Sequence, residues 1–270
     1  MDLLQAIILG VVQGLTEFIP VSSSAHLVVI PWFLHWKTPG LAFDASLHLG
    51  TLLALLIYFW RDWDGSLWEN IRKGSDSNFL GASRSLLIPI IFACIPGGIA
   101  GFMLEGTIER YFRTPLVIGS ATIILGLLLF VADRVGRRSR PMETIGPKDW
   151  IIIGLAQALA IIPGVSRSGI SITAGLFCGL RREAAAKFSF LIGSPLIFGA
   201  AVYELLKVTH NGLYANQVMA FAAGVITAMV VGYFCMSFLI AYLKKKSPGV
   251  FVVYRIIFGA AVIVYYFMQR

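Results

Sequence analysis

The sequence predicts an all-α integral membrane protein with six transmembrane helices and two re-entrant helical hairpins, arranged as an inverted-topology repeat. Three observations lead there. Of its 270 residues, 57% are hydrophobic and only 13% charged, against roughly 45–50% and 25% in soluble globular chains, which excludes an ordinary aqueous enzyme. Six apolar runs, 43–60, 85–104, 115–133, 188–206, 218–242 and 250–268, each approach the ~20 residues a helix needs to cross a bilayer. Two further apolar segments, 1–36 and 150–180, are each broken in the middle by a proline and a cluster of small polar residues.

The six runs must be helical, because lipid satisfies no exposed backbone N–H or C=O. Basic residues collect between Arg61 and Arg84, at Arg134, Arg137, Arg138 and Arg140, at Arg181 and Arg182 with Lys187, and at Lys244, Lys245 and Lys246. These connections are therefore expected on the cytoplasmic side, and loops 105–114 and 207–217 outside. The net charge of +8 reads as this orientation signal. No interleaving of basic and aromatic residues suggests nucleic acid, which is not expected as a partner. Cys94, Cys178 and Cys235 are scattered in apolar stretches, so neither a disulfide framework nor a thiolate metal site is expected. Residues 1–19 have the apolar length of a signal peptide, but Asp2 replaces the basic start and Gln13 and Glu17 interrupt the core. The segment is expected to remain in the mature protein.

Each broken segment reads as a re-entrant hairpin. Residues 1–19 run into Pro20-Val21-Ser22-Ser23-Ser24, and 150–162 into Pro163-Gly164-Val165-Ser166-Arg167-Ser168-Gly169. Proline stops the helix, and the backbone it frees is tolerated at membrane depth only inside protein or beside a water-filled cavity. Counting crossings places the first hairpin's mouth outside and the second's inside. At an offset of 144 the two are alike: Ile7/Ile151, Ile8/Ile152, Gly10/Gly154, Gln13/Gln157, Leu15/Leu159, Val21/Val165, Ser22/Ser166 and Ser24/Ser168 are identical. Two inverted repeats, approximately 1–133 and 150–270 joined by a basic cytoplasmic loop 134–149, would bring their broken helices together near the midplane as a binding site.

Ionisable groups in such segments are functional candidates by default. Gln13 and Glu17, four apart, lie on one helix face. They suit a hard divalent cation, Mg²⁺ or Ca²⁺; alternatively Glu17 is a base, orients a histidine, or pairs with an arginine. Ser22, Ser23 and Ser24 follow the proline and open the next half-helix, where hydroxyls cap and N–H groups attract anions. His26 sits beside them. In the second hairpin Arg167, between Ser166 and Ser168 and followed by Gly169 and Ser171, has the composition of an anion cradle. Asp44 and His48 begin the first full span, where His48 either joins the site or marks a solvated helix start. Arg255 lies close enough to a span end to snorkel. His35 and His210 fall in loops.

The stretch Gln13-Gly14-Leu15-Thr16-Glu17-Phe18-Ile19-Pro20-Val21-Ser22-Ser23-Ser24-Ala25-His26, together with Pro163-Gly164-Val165-Ser166-Arg167-Ser168, resembles the bacterial undecaprenyl-diphosphate phosphatases of the bacitracin-resistance type. Gln13 stands at a position where that family's pattern allows Glu or Gln, and Ser171 where it usually has Thr. The resemblance implies hydrolysis of a polyprenyl diphosphate to the lipid phosphate and inorganic phosphate in the bacterial plasma (inner) membrane, recycling a carrier for cell-wall synthesis. The partners are then the polyprenyl diphosphate and membrane lipids, with a homodimer left open and the cleft facing the periplasm or cell exterior. Ser22, Ser24, Ser166, Arg167, Ser168 and Ser171 are the expected phosphate ligands. Glu17 with Gln13 would hold a cation or orient His26, and His26 would be the nucleophile or the base that activates Ser23 or water. A secondary transporter or flippase for a lipid phosphate is the alternative, since inverted repeats with broken helices also serve alternating access.

Overall fold

The computed structural model describes residues 2–37, 40–60, 87–211 and 215–269, and among them every regular element is a helix. In chain order these are α1 (Leu3–Phe18), α2 (Ser23–Phe33), α3 (Leu41–Tyr58), α4 (Leu87–Tyr111), α5 (Pro115–Val135), α6 (Pro147–Ala158), α7 (Arg167–Phe177), α8 (Arg182–Asn211), α9 (Ala215–Lys245) and α10 (Gly249–Met268), with short 3₁₀ turns at Met142–Thr144 and Leu159–Ile161. Four stretches, Pro115–Val135, Arg182–Tyr203, Val218–Lys245 and Gly249–Met268, are long and apolar enough to cross a membrane. Large apolar side chains such as Phe102, Ile124, Phe234 and Ile257 are exposed along the bundle, as suits a lipid solvent. The chain is a multi-pass membrane protein. Ala42–Tyr58 and Ile88–Leu104, where the sequence predicts two more spans, are apolar but shorter. The predicted basic segment 61–84 lies outside the described residues.

Local sequence accounts for the helix ends. Asp2 Oδ1 accepts from the Gln5 N–H at 2.7 Å while Gln5 Oε1 accepts from the Asp2 N–H at 3.3 Å, a reciprocal cap for α1. At its other end Ile19 precedes a proline and is extended, with φ −61° and ψ 136°. Thr114 and Asp149 cap α5 and α6, each of which has proline at its first position. Two of the predicted connections, 105–114 and 207–217, are shorter than expected: α4 continues to Tyr111 and α8 to Asn211. Apolar composition ends at the lipid boundary, but backbone hydrogen bonding carries a helix on into water, so composition marks the membrane edge and not the helix end.

The packing exchanges partners between the two halves of the chain. The first broken helix, α1, lies along α9, and the second, α6, lies along α4; α3 meets α8 and α9, and α5 pairs with α10. Both broken helices touch their partners through glycine at the same repeat position. A Cβ on Gly10 would fall 2.6 Å from the Gly224 carbonyl oxygen, and one on Gly154 would fall 2.7 Å from that of Ala93. Small residues of this kind let membrane helices approach backbone to backbone.

Arg255 corrects the sequence reading. It does not snorkel: it is completely buried. Its Nε donates to the Thr122 carbonyl at 2.9 Å, Nη1 to Pro20 at 2.9 Å, and Nη2 to Gly164 at 2.9 Å and Val165 at 3.1 Å. One guanidinium thus satisfies carbonyls at both helix breaks. Replacing Arg255 with Met strips the donors from four carbonyls, and we expect a loss of about 3–5 kcal/mol together with loss of function. Lys, a point charge that cannot span the four oxygens, should recover only part of this. Thermal unfolding in detergent of the wild type, R255M and R255K measures both effects.

Candidate active site

The two breaks adopt one geometry. Ser22 has φ 77° and ψ 94°, and Ser166 has φ 71° and ψ 111°, left-handed values that cost a non-glycine residue about 1–3 kcal/mol. Each hydroxyl caps the helix that follows: Ser22 Oγ accepts from the Ala25 N–H at 3.4 Å, and Ser166 Oγ from the Gly169 N–H at 3.1 Å. Each also lies 3.2 Å from a second hydroxyl, that of Ser24 or Ser168. At the second break the chain turns through Gly164, φ 96°, where a side chain would meet the Ile118 carbonyl.

Both helix starts face one cavity of about 880 Å³. Glu17, Ser22, Ser23, Ser24, His48, Ser166 and Arg167 line its polar end, with Gln157 and Arg113 also in the wall. Its remaining walls are apolar: Ile91, Ile95, Gly98, Gly101 and Phe102 of α4 face Pro195, Leu196, Gly199 and Tyr203 of α8. The cavity therefore has an anion-binding end and a greasy end.

Glu17 is the hub. Its Oε2 accepts from Ser23 Oγ at 2.6 Å and from Gln13 Nε2 at 3.1 Å, and its Oε1 accepts from Arg167 Nη2 at 2.7 Å. His48 Nε2 stands 3.4 Å from Oε2. Arg167 Nη1 donates to the Ser189 carbonyl at 3.0 Å, so two of its five N–H groups are used in these bonds and the others can meet phosphate oxygens. The arginine fits because Gly193 has no side chain. A Cβ there would overlap the Arg167 guanidinium.

Three sequence expectations require correction. His26 does not line the cavity. Its Nδ1 bonds to the Ser22 carbonyl at 2.7 Å, its Nε2 to Tyr254 OH at 2.7 Å, and its ring stacks on Phe258 with centroids 4.2 Å apart. Both nitrogens are committed, and they hold the carbonyl of the strained Ser22. Ser168 and Ser171 are also interior. Ser168 is 1% exposed with its hydroxyl toward the Ile19 carbonyl at 3.4 Å, and Ser171 is fully buried with no hydrogen-bond partner. Three apart, they share a face of α7 that turns into the bundle, whereas Ser166 and Arg167 at its start look into the cavity.

Gln13 and Glu17 do not fit the Mg²⁺ or Ca²⁺ expected between them. The Gln13 amide nitrogen, not its oxygen, faces the carboxylate, and both carboxylate oxygens already meet donors from Arg167 and Ser23. A hard cation needs about six or more oxygens. Among the described residues no group of three or more His, Cys, Asp or Glu side chains is placed to hold a metal.

Sequence reasoning missed Gly193, whose role is the space it leaves, and left His48 undecided although an imidazole inside an apolar run was the available signal. A Gly193→Ala substitution should displace Arg167 while leaving the helix intact. Affinity for inorganic diphosphate, measured by calorimetry on the detergent-purified protein, should fall by about tenfold or more with an unchanged unfolding temperature, since small misplacements of a positioning group cost on the order of 10²-fold.

Comparison with known proteins agrees with this geometry. Residues 6–261 match the family model described as Bacitracin resistance protein BacA. A protein of Moorella thermoacetica named undecaprenyl-diphosphatase is 48% identical over 100% of both chains. Proteins of the same name from Thermomicrobium roseum and Desulforudis audaxviator are each 46% identical, over 96% and 98% of both chains respectively. With nearly its whole length matched and its serine and arginine motifs brought to one cavity, this chain belongs to the bacitracin resistance protein BacA family.

Proposed function

We infer that this protein is an undecaprenyl-diphosphatase, hydrolysing undecaprenyl diphosphate to undecaprenyl phosphate and inorganic phosphate. One observation carries the chemistry: Ser23 Oγ lies 2.6 Å from Glu17 Oε2 while Arg167 lies 2.7 Å from Oε1, so a nucleophile, its base and a permanent cation meet at one carboxylate. In this reading Ser23 Oγ attacks the terminal phosphorus and its proton passes to Glu17. The P–O anhydride bond breaks with its electron pair on the lipid-side phosphate, which leaves and takes the Glu17 proton. Water then attacks the phosphoserine, gives its proton to Glu17, and Glu17 returns one to Ser23 as inorganic phosphate departs. Arg167, the Ser22 and Ser166 caps and the N–H groups of α2 and α7 stabilise the phosphate charge. The committed nitrogens of His26 favour Ser23 over a phosphohistidine. Mg²⁺ or Ca²⁺, for which the described residues offer no cage, would arrive as the counter-ion of the diphosphate, whose oxygens are hard ligands.

The finer architecture follows the same reading. We place α1–α2 and α6–α7 as re-entrant hairpins of an inverted repeat, approximately 1–133 and 150–270 joined by a basic cytoplasmic loop 134–149, with six crossings from α3, α4, α5, α8, α9 and α10. The matched cap geometry of Ser22 and Ser166 and the exchanged packing of α1 and α6 support it. His48 and Arg113, which the charge pattern places on the outer side, share the cavity with the catalytic groups, so the cleft opens toward the periplasm or cell exterior of the plasma (inner) membrane.

Purified protein in detergent should release phosphate without any gradient, which a transporter does not do. Ser23→Ala and Arg167→Ala should each lower turnover by about 10²-fold or more with the fold intact. Labelled substrate quenched in acid during turnover should leave phosphate on Ser23 of the wild-type protein, and label on His26 instead would overturn the assignment. The greasy end of the cavity makes a separate prediction. A Cβ on Gly101 meets nothing within 4 Å, so Gly101→Leu fits the fold but fills the groove between α4 and α8. Its KM should rise for a long-chain polyprenyl diphosphate and stay near wild type for a short, water-soluble prenyl diphosphate.

A further inference from the structure

His48 has no role in the mechanism above, yet among the described histidines it is the one that faces the cavity, while His26 is turned away. Its Nδ1 donates to the Asp44 carbonyl at 2.8 Å, which fixes the ring plane from its own helix. Its Nε2 then stands 3.4 Å from Glu17 Oε2, within ion-pair distance. Both partners are oxygen acceptors, so a bond on either side uses an N–H of the ring. The side chain is 27% exposed, open to the cavity and not packed into a core.

The oxygen it faces is the one that accepts from Ser23. A carboxylate turns about its terminal torsion, which is broad and only loosely held by intrinsic preference, and a small turn takes Oε2 off the serine hydroxyl. In the resting site that torsion is held from both sides, by Arg167 on Oε1 and by Gln13 and His48 on Oε2. Gln13 Nε2 also reaches Thr51 Oγ1 at 3.4 Å, so α3 steadies Oε2 twice, directly through His48 and indirectly through Thr51. When a diphosphate meets the remaining Arg167 N–H groups it competes with Glu17 for the guanidinium, whereas the contacts on Oε2 are not shared with phosphate.

We propose that His48 is a positioning residue for the phosphatase reaction: its Nε2–H holds Glu17 Oε2 against Ser23 while Arg167 is engaged by phosphate. This inference rests on the Ser23–Glu17 reading given above. A glutamine at position 48 can also point an N–H at Oε2, whereas leucine offers no donor and asparagine is too short to reach it.

The test is steady-state phosphate release from a long-chain polyprenyl diphosphate by the full-length protein in detergent, with H48L, H48N, H48Q and S23A beside the wild type. Losses for groups that orient a catalytic side chain run at about 10–100-fold. The expected result is a fall of that size in kcat for H48L and H48N, KM within about threefold of wild type, and kcat largely recovered in H48Q. Should H48L fail to fold, H48N keeps the polarity and side-chain bulk without the reach, and its comparison with H48Q carries the test. The proposal is overturned if H48N keeps wild-type kcat, if H48Q is no better than H48N, or if the loss lies in KM. S23A separates the two levels: turnover surviving in S23A overturns the serine reading and this inference with it, while a dead S23A beside fully active H48L and H48N overturns only the role of His48.

Discussion

A single guanidinium makes the site buildable. Two helices that stop inside a membrane protein each leave carbonyl groups without partners, at about 1–3 kcal/mol apiece when buried. Arg255 donates to Pro20 at one break and to Gly164 and Val165 at the other, so both are satisfied by one side chain from α10. A buried guanidinium would itself be costly, but its described partners are four carbonyl oxygens, all within 3.1 Å, and its fork of donors can serve several acceptors at once. The fixed distance between the breaks then fixes how far Ser23 stands from Arg167. His26 performs a smaller version of the same task, holding the Ser22 carbonyl with one nitrogen and anchoring to Tyr254 with the other.

On this frame the two halves share a scaffold and divide the chemistry. The cap serines, the serines two residues on and the glycines at the helix crossings coincide at the offset of 144. The reactive positions do not. Ser23 is matched by Arg167, Glu17 by Ile161 and His26 by Ile170. Attack on a phosphorus atom needs a nucleophile with a base on one side and positive charge around the phosphoryl oxygens, and two copies of one half could not supply both. One half carries serine and glutamate, the other arginine, and the strained backbone common to both points them into one cavity.

How much of this was legible in the sequence depended on whether the information was local. The breaks at Pro20 and Pro163, the caps and the bilayer-length runs are written in consecutive residues; the breaks, the caps and four of the six runs appear where the sequence put them. The convergence of Glu17, Ser23 and Arg167 was also within reach, because the internal repeat implied that the two breaks meet. Which way a side chain faces across a helix-helix contact was not. His26, two residues past a serine cluster, was indistinguishable by spacing from a cavity histidine, and Arg255 sits close enough to the end of its span to be taken for a snorkelling residue. Both are decided by α10 packing beside the hairpins, a contact between residues more than 200 positions apart. Ser168 and Ser171 share a motif with Arg167 and still turn inward, since a helix start spreads its first residues around its axis.

The cavity's division into polar and greasy ends sets what the enzyme can read of its substrate. A volume of about 880 Å³ falls in the roughly 300–1,000 Å³ range that encloses a drug-sized molecule, and the diphosphate takes part of it. A long polyprenyl chain outgrows the remainder and must continue into lipid between α4 and α8. Chain carbons beyond the groove pass from one apolar medium to another, so they contribute little to binding at any length. Discrimination therefore falls on the headgroup and on the first units of the tail, where glycines at 98, 101 and 199 leave room for it. Placing the site at membrane depth has the same logic. In the proposed mechanism the anhydride would reach Ser23 without the tail entering water, and only the small, strongly hydrated phosphate would have to leave through the polar end.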